Sequence, residues 1–357
     1  YGHFLRKRSI LDGTFRESYR NGVWVEVWQQ GLEVYPLSLL LHTVVSMDAP
    51  SREESLWHAQ RVVEIAPDSP LGFWRLSEVL WVEHGHVDES IRSASKLMEL
   101  DPRNINGPWH NGLAYTALGD YDMAHAYFQL MRVKSEGTSF NIGAVEALPL
   151  LYMGRKNEAI SILEDVLSED QGSFWPLRVL VSLDVSAGQA DNAATRLRQY
   201  TPECFGEPET VDYERDCPGL YFLRVLQTAG NDNRAQRVVV AVIADFESLL
   251  PEEQYSFTWV RYFATTGQNE EALSALESYL QRGLRGYRVQ PSDWRFFAYH
   301  DITVDSIRDH PRFQAAIAVI EADMAQQLEN VRAMERNGEI PTLEEVRQMT
   351  AAATDTL

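Results

Sequence analysis

Six glycines recur along the chain at nearly constant spacing, and this periodicity constrains the fold more than any other feature. Successive glycines are separated by 34, 35, 34, 42 and 37 residues. They are Gly85, Gly119, Gly154, Gly188, Gly230 and Gly267. Each interval has room for two short helices and their connections, so the spacing predicts a repeated helical hairpin.

The residues around each glycine indicate how the two helices meet. Five positions after the glycines the residue is always small: Ser90, Ala124, Ala159, Ala193, Ala235 and Ala272. Nine positions after them it is apolar, and four positions before them it is large and apolar except at Asp184. We expect each glycine to end a first helix in the left-handed conformation. The small residue then allows the second helix to approach closely, with the apolar residue one turn further along the same face.

The stretch GLAYTALGDYDMAHAYF, residues 112–128, resembles the tetratricopeptide repeat (TPR), whose period is 34 residues. Pro67 and Pro102 stand at the terminal position of this repeat pattern in two further units, whereas Pro149 falls inside a first helix and should kink it. The resemblance implies an all-α fold: a right-handed α-solenoid of about seven TPR hairpins with capping helices at both ends.

The chain divides into four predicted regions. They are an N-terminal cap or degenerate repeat (1–35), the TPR array (36–282, with an insert at about 201–218), a C-terminal capping region (283–335), and a short helix with a frayed tail (336–357). We expect an apolar stripe to seal the end of the array. It consists of Phe313, Ile317, Ile320 and Met324.

The C-terminal region carries a second resemblance. Its aromatic cluster, the sequence HPRF and a long amphipathic helix are similar to the tail that closes TPR arrays in bacterial transcriptional-regulator and adenylate-cyclase-type signalling proteins. Because the sequence begins at Tyr1 without a methionine, we expect a processed chain or a piece of a longer one.

Charge and hydropathy narrow the classes of partner. The net charge of −20 disfavours nucleic acid, which needs a basic surface. No stretch approaches the roughly 20 apolar residues of a membrane helix.

The insert contains both cysteines, Cys204 and Cys217, which form either a disulfide in an oxidising, periplasmic location or two separate thiols in the cytoplasm. The sequence leaves both locations, periplasmic and cytoplasmic, as alternatives.

The TPR pattern also identifies the positions that should line a concave groove. They are Arg75, Trp109, Asn141, Tyr152, Trp175, Arg178, Arg224, Gln227, Phe257 and Arg261. Arg178, Arg224 and Arg261 come from consecutive units and could hold an acidic or C-terminal peptide, with the aromatic residues as anchors. Alternatively, these arginines pair with Asp and Glu residues of neighbouring units.

These features favour a non-catalytic module that binds a protein or peptide partner, as the sensory or scaffolding part of a bacterial signalling protein. A small-molecule sensor or enzyme and a self-assembling scaffold, hence a homo-oligomer, are the alternatives. No catalytic motif is recognisable, and we expect no cofactor or metal. The segment EHGHVD (83–88) fits a solvated turn better than a metal site, and QRGLRGYR (281–288) fits a connector better than a phosphate loop.

Overall fold

A computed structural model describes residues 23–49, 51–135, 142–169, 174–202, 219–247, 257–281 and 294–354. Within these ranges the chain forms 19 α-helices and no β-strand. None of these helices is both long and apolar enough to cross a bilayer. The all-α prediction is therefore confirmed for the described part of the chain.

Helix α1 (Val23–Val34) precedes seven consecutive helical hairpins. Hairpins 1 to 3 are α2 (Leu39–Asp48) with α3 (Arg52–Ile65), α4 (Pro70–Val79, extended by a π-helical turn over Leu80–His84) with α5 (Val87–Leu100), and α6 (Asn106–Leu118) with α7 (Tyr121–Lys134). Hairpins 4 and 5 are α8 (Ile142–Tyr152) with α9 (Lys156–Glu169) and α10 (Phe174–Ser186) with α11 (Ala190–Tyr200). Hairpins 6 and 7 are α12 (Gly219–Thr228) with α13 (Asp232–Glu247) and α14 (Phe257–Thr265) with α15 (Asn269–Gln281).

The C-terminal region contains four more α-helices and a short 3₁₀ helix. They are α16 (Trp294–Tyr299), the 3₁₀ helix Ile302–Val304, α17 (Asp305–Arg308), α18 (Pro311–Arg336) and α19 (Leu343–Thr354). Successive hairpins stack side by side, so the array is an α-solenoid in which each hairpin packs mainly on its neighbours.

The six periodic glycines end the first helices of hairpins 2 to 7, as the spacing predicts. All six have positive φ, between 69° and 87°. At Gly119, for example, the backbone N–H donates to the carbonyls of Tyr115 and Thr116, and the Asp120 side chain then caps α7 by accepting from Met123 N. An L-residue would be strained in this conformation, which explains why glycine recurs.

The small residues lie where the two helices of a hairpin meet. Ala124, Ala159, Ala193 and Ala272 have no exposed surface, and Ala235 and Ser90 are almost fully buried. Hairpin 3 shows how close this approach is: a Cβ added to Gly112 would lie 2.6 Å from Cε1 of Phe128. The helical-hairpin interpretation is therefore confirmed at the level of side-chain packing.

Two departures from the pattern are accommodated within the array. Asp184 replaces the large apolar residue before Gly188, and its Oδ2 accepts a 2.8 Å hydrogen bond from Nε of Arg196 on the second helix of the same hairpin. Pro149 lies inside α8, which continues as one helix to Tyr152. The Asp184–Arg196 pair thus replaces an apolar contact within hairpin 5, and the helix that contains Pro149 still forms the first helix of hairpin 4.

The C-terminal helices contact hairpins 2 and 3 as well as the last hairpin. Helix α18 packs against α15 and also against α5 and α6, and α19 packs against α7. The stripe of Phe313, Ile317, Ile320 and Met324 is buried in a core that includes residues from both hairpin 3 and hairpin 7. Trp294 Nε1 donates to the carbonyl oxygen of Ala117 at 3.0 Å, which joins α16 to α6.

Candidate functional site: the concave face of the array

The concave face of hairpins 4 to 7 is in contact with a segment of the same chain. This closing segment, residues 294–308, consists of α16, the 3₁₀ helix and α17. Five of the residues predicted to line the groove contact it directly: Tyr152, Arg178, Arg224, Phe257 and Arg261. The structure thus brings these residues together around an internal chain segment.

Asp301 is the centre of these contacts, and it has no exposed surface. Its Oδ2 accepts hydrogen bonds from Nε of Arg261 at 2.6 Å and from the hydroxyl of Tyr221 at 2.7 Å. Its Oδ1 accepts from the backbone N–H of Thr303 at 3.1 Å and from the Thr303 hydroxyl at 2.6 Å. This is the coordination expected of a carboxylate that stays ionised inside a protein.

The charges around Asp301 determine its ionisation. Burial alone would raise the pKa of the Asp301 carboxyl, but the guanidinium groups of Arg261 and Arg178, with the hydrogen bonds from Thr303 and Tyr221, hold it below its usual value. Burial, followed by the negative charge of Asp301, raises the pKa of the Tyr221 hydroxyl well above its usual value. Tyr221 is therefore a neutral hydrogen-bond donor to an ionised carboxylate.

Aromatic contacts flank this carboxylate. The rings of Phe297 and Phe257 stack with centroids 4.2 Å apart, and the Arg261 guanidinium lies 5.2 Å from the Phe297 ring. Directly after α16, the His300 ring stacks on the Tyr152 ring with centroids 5.8 Å apart. These contacts fix the closing segment by apolar burial as well as by charge.

The row of arginines meets carboxylates of the closing segment. Arg224 Nη2 lies 3.3 Å from Oδ2 of Asp305, whose Oδ1 also accepts from Arg308 at 2.8 Å. Arg178 is buried with its guanidinium 5.2 Å from the Phe296 ring and 6.0 Å from the Trp175 ring. In the described part of the chain, Arg224 and Arg261 meet Asp305 and Asp301 of the closing segment, whereas the alternative interpretation placed their acidic partners on neighbouring repeats.

Two other predicted groove residues, Arg75 and Trp109, are buried in contacts of the hairpins with one another or within one hairpin. Arg75 is buried and donates to the Ser46 carbonyl at 2.7 Å, to Ser55 Oγ at 3.1 Å and to Glu83 at 3.0 Å. Trp109 is buried, and its ring meets the Phe128 ring of the same hairpin edge-to-face, with centroids 6.4 Å apart. Arg75 therefore joins hairpin 2 to hairpin 1, whereas Trp109 packs within hairpin 3.

The remaining predicted residues have various positions. Gln227 donates from Nε2 to the carbonyl of Thr265 at 3.2 Å, between hairpins 6 and 7. Asn141, Cys204 and Cys217 lie outside the described residues, as does the segment 282–288.

In the EHGHVD turn, His84 Nε2 lies 3.1 Å from the carbonyl oxygen of Arg52. The described part of the chain contains no group of three or more His, Cys, Asp or Glu side chains that could hold a metal ion.

Sequence reasoning missed Asp301 and Tyr221, the two residues that organise the concave face. The signal for Asp301 was present: acidic residues follow an aromatic cluster in DWRFFAYHDITVD, opposite a row of arginines on the array. Charge complementarity between the two could have paired them. Tyr221 gives no comparable signal, because a tyrosine next to buried apolar residues of α12 is indistinguishable from a core residue.

Comparison with known proteins establishes the fold. No protein-family model matches the sequence, and no curated protein matches it. Among solved structures, the chain is similar to a tetratricopeptide repeat protein from Parabacteroides merdae ATCC 43184. The TM-score is 0.51 at 12% identity, over 76% of this chain and 98% of the other. The fold is a TPR-type solenoid. At 12% identity, this structural similarity establishes the TPR fold and nothing further.

Proposed function

We propose that the chain is a non-catalytic protein-interaction module: a TPR scaffold that holds a protein or peptide partner, as part of a bacterial signalling or regulatory system. The observation that carries the proposal is that its concave face already holds a polypeptide segment. Arg261 and Tyr221 bind the Asp301 carboxylate while Phe257 stacks on Phe297. Arginine–carboxylate pairing beside aromatic anchors is the chemistry of segment recognition.

The closing segment also limits where a partner can bind. Six of its large apolar side chains are each at most 1% exposed: Trp294, Phe296, Phe297, Ile302, Val304 and Ile307. Re-exposing all six would cost on the order of 10 kcal/mol, which exceeds what a peptide of moderate affinity supplies. Arg224 and Arg261 moreover already face carboxylates of the chain. A partner is therefore expected on surfaces outside these contacts.

Affinity capture tests this function. The full chain is immobilised and incubated with a bacterial lysate, and bound proteins are cross-linked and identified by mass spectrometry. An unrelated α-solenoid of similar negative charge is the control. We expect a protein enriched over the control whose cross-links fall on the seven hairpins. Enrichment of no protein, together with a metabolite that raises the melting temperature, would instead support the small-molecule sensor.

A further inference from the structure

An exposed apolar surface lies on the first hairpin and on the connection between α1 and α2. Nine large hydrophobic residues of the described chain are more than a third exposed, and five of them lie close together in sequence at its N-terminal end. We call these five residues the N-terminal face: Val34, Tyr35, Leu37, Leu40 and Trp57, each between 54% and 67% exposed. Soluble proteins rarely leave such a concentration of apolar side chains open unless it serves an interaction.

The N-terminal face has two parts that are linked through a buried histidine. The Trp57 ring packs edge-on against the His42 ring at 5.8 Å, and His42 Nε2 lies 3.0 Å from the carbonyl oxygen of Pro36. Pro36 stands between Tyr35 and Leu37, so His42, which is 3% exposed, connects the indole on α3 to the connection between α1 and α2. Tryptophan and tyrosine are among the residue types enriched in binding hot spots.

The position in the solenoid explains why this surface is open. Trp28 of α1 packs with Val45 of α2 and covers part of the first hairpin. Hairpin 2 covers its other side through contacts of α4 with α2 and α3. The N-terminal face is the part that neither neighbour reaches, and end surfaces of solenoids expose what the next repeat would otherwise bury.

The chain segment that carries the N-terminal face is negatively charged. Residues 23–68 contain seven acidic residues and two arginines. Both arginines are already engaged: Arg61 with Glu64 at 2.9 Å, and Arg52 with the Glu83 carbonyl oxygen at 3.1 Å. A negatively charged segment of this kind disfavours a second copy of the same face and an anionic membrane, and it attracts a cationic partner.

We propose that the N-terminal face docks a partner segment in which apolar side chains are flanked by Lys and Arg, such as a basic amphipathic helix. The apolar side chains would pack on Leu37 and Leu40 while the cations face the acidic side chains of this region. This inference rests on the proposed function and specifies the chemistry of its partner.

A defined peptide probe tests the proposal with the full chain. The probe is a fluorescent helix of about 18 residues, or five turns, with Leu on one face and Lys on the other. A charge-reversed peptide has Glu in place of every Lys. We expect the Leu/Lys peptide to raise fluorescence anisotropy with a dissociation constant at least about tenfold lower than that of the Leu/Glu peptide. Equal binding of the two peptides would contradict the charge argument. Binding of neither peptide would contradict the docking site itself.

Matched variants locate the binding. Leu37→Ser with Leu40→Ser should weaken binding of the Leu/Lys peptide at least about tenfold, because it removes anchors from the N-terminal face. Val240→Ser with Val319→Ser changes two exposed apolar residues elsewhere and should leave binding unchanged. Circular dichroism checks that both variants are folded. Equal loss in both variants would mean that the peptide binds non-specifically.

The chain itself contains one competing occupant. Residues 1–22 have five basic and two acidic residues together with Phe4, Leu5, Ile10 and Leu11. If the full chain binds the peptide only after Arg6, Lys7 and Arg8 are changed to Glu, this segment is the occupant and the proposal of an external partner is wrong. A partner captured from lysate whose binding ignores the Leu37/Leu40 variant would leave the proposed function intact and overturn this inference alone. Conversely, specific peptide binding with no captured partner would count against the proposed function only.

Discussion

Arg261 donates a 2.6 Å hydrogen bond from Nε to Oδ2 of Asp301, and both side chains are buried. The pair joins the last hairpin to the closing segment, 40 positions further along the chain. Because the array and the closing segment meet through a buried charge pair, removal of either charged group leaves the other one buried without its partner. The effect of removing one partner can therefore be predicted.

Asp301→Ala should lower the free energy of unfolding by about 3–5 kcal/mol, since it leaves the Arg261 guanidinium buried without its carboxylate. Urea denaturation followed by circular dichroism measures this loss. Asp309→Ala, which removes an exposed carboxylate in the same region, is the control and should change stability by less than about 0.5 kcal/mol. Similar values for the two variants would show that the Asp301 pair does not stabilise the closed array.

Gly112→Ala should destabilise hairpin 3 by about 1–3 kcal/mol, because the new methyl group would overlap the Phe128 ring. A second substitution, Phe128→Leu, makes room for the methyl group. The double variant should therefore lose less stability than the sum of the two single variants. Strict additivity in this cycle would mean that α6 and α7 do not approach as closely as the contact between these residues indicates.

The sequence predicted the array because its determinants are local and periodic. The left-handed turn at Gly119 and the helix contact at Ala124 depend on neighbouring residues, so spacing alone identifies them. The occupation of the concave face could not be read in this way. It depends on the contact of Asp301 with Tyr221, which are 80 residues apart and belong to no repeat. The groove residues were identified from repeat positions, but what would lie against them was a question of long-range folding.

Acidification should destabilise the protein through buried histidines. Burial, partly opposed by Glu78 and assisted by Arg75, lowers the pKa of His110 to about 4; burial and then His42 lower that of His58 to about 4. The unfolded chain therefore binds these protons first as the pH falls. This stability is present above about pH 6.5, the ordinary histidine pKa, and is lost between pH 6.5 and 4.

The contribution of the histidines to acid destabilisation can be isolated by comparing how steeply the unfolding free energy changes with pH in different variants. Fully buried His110 accounts for a loss of about 3 kcal/mol over this pH range. His110→Gln should make the plot of unfolding free energy against pH shallower between pH 6.5 and 4, even if it lowers stability at every pH. His86→Gln, at a half-exposed side chain, serves as the control and should keep the wild-type slope. An unchanged slope for His110→Gln would contradict the assignment.

Gln327 connects the C-terminal helix α18 to the turn of hairpin 2 and allows the closure of the array to be tested. Its Oε1 accepts from the backbone N–H groups of Val87 at 2.6 Å and Asp88 at 3.2 Å, and its Nε2 donates to the Gly85 carbonyl at 2.9 Å. Gln327→Leu keeps the approximate size of the side chain but leaves buried backbone groups unpaired. The expected loss of stability is about 1–3 kcal/mol per unpaired buried group.

Hydrogen exchange gives the more specific readout for the same variant. In Gln327→Leu, the amides of Val87 and Asp88 should exchange faster, while those of α13, in hairpin 6, keep their wild-type protection. Gln326→Leu alters the neighbouring exposed position on α18 and should change neither region. Faster exchange throughout the array would mean that α18 stabilises the solenoid as a whole, whereas unchanged exchange at Val87 would show that Gln327 does not hold this turn.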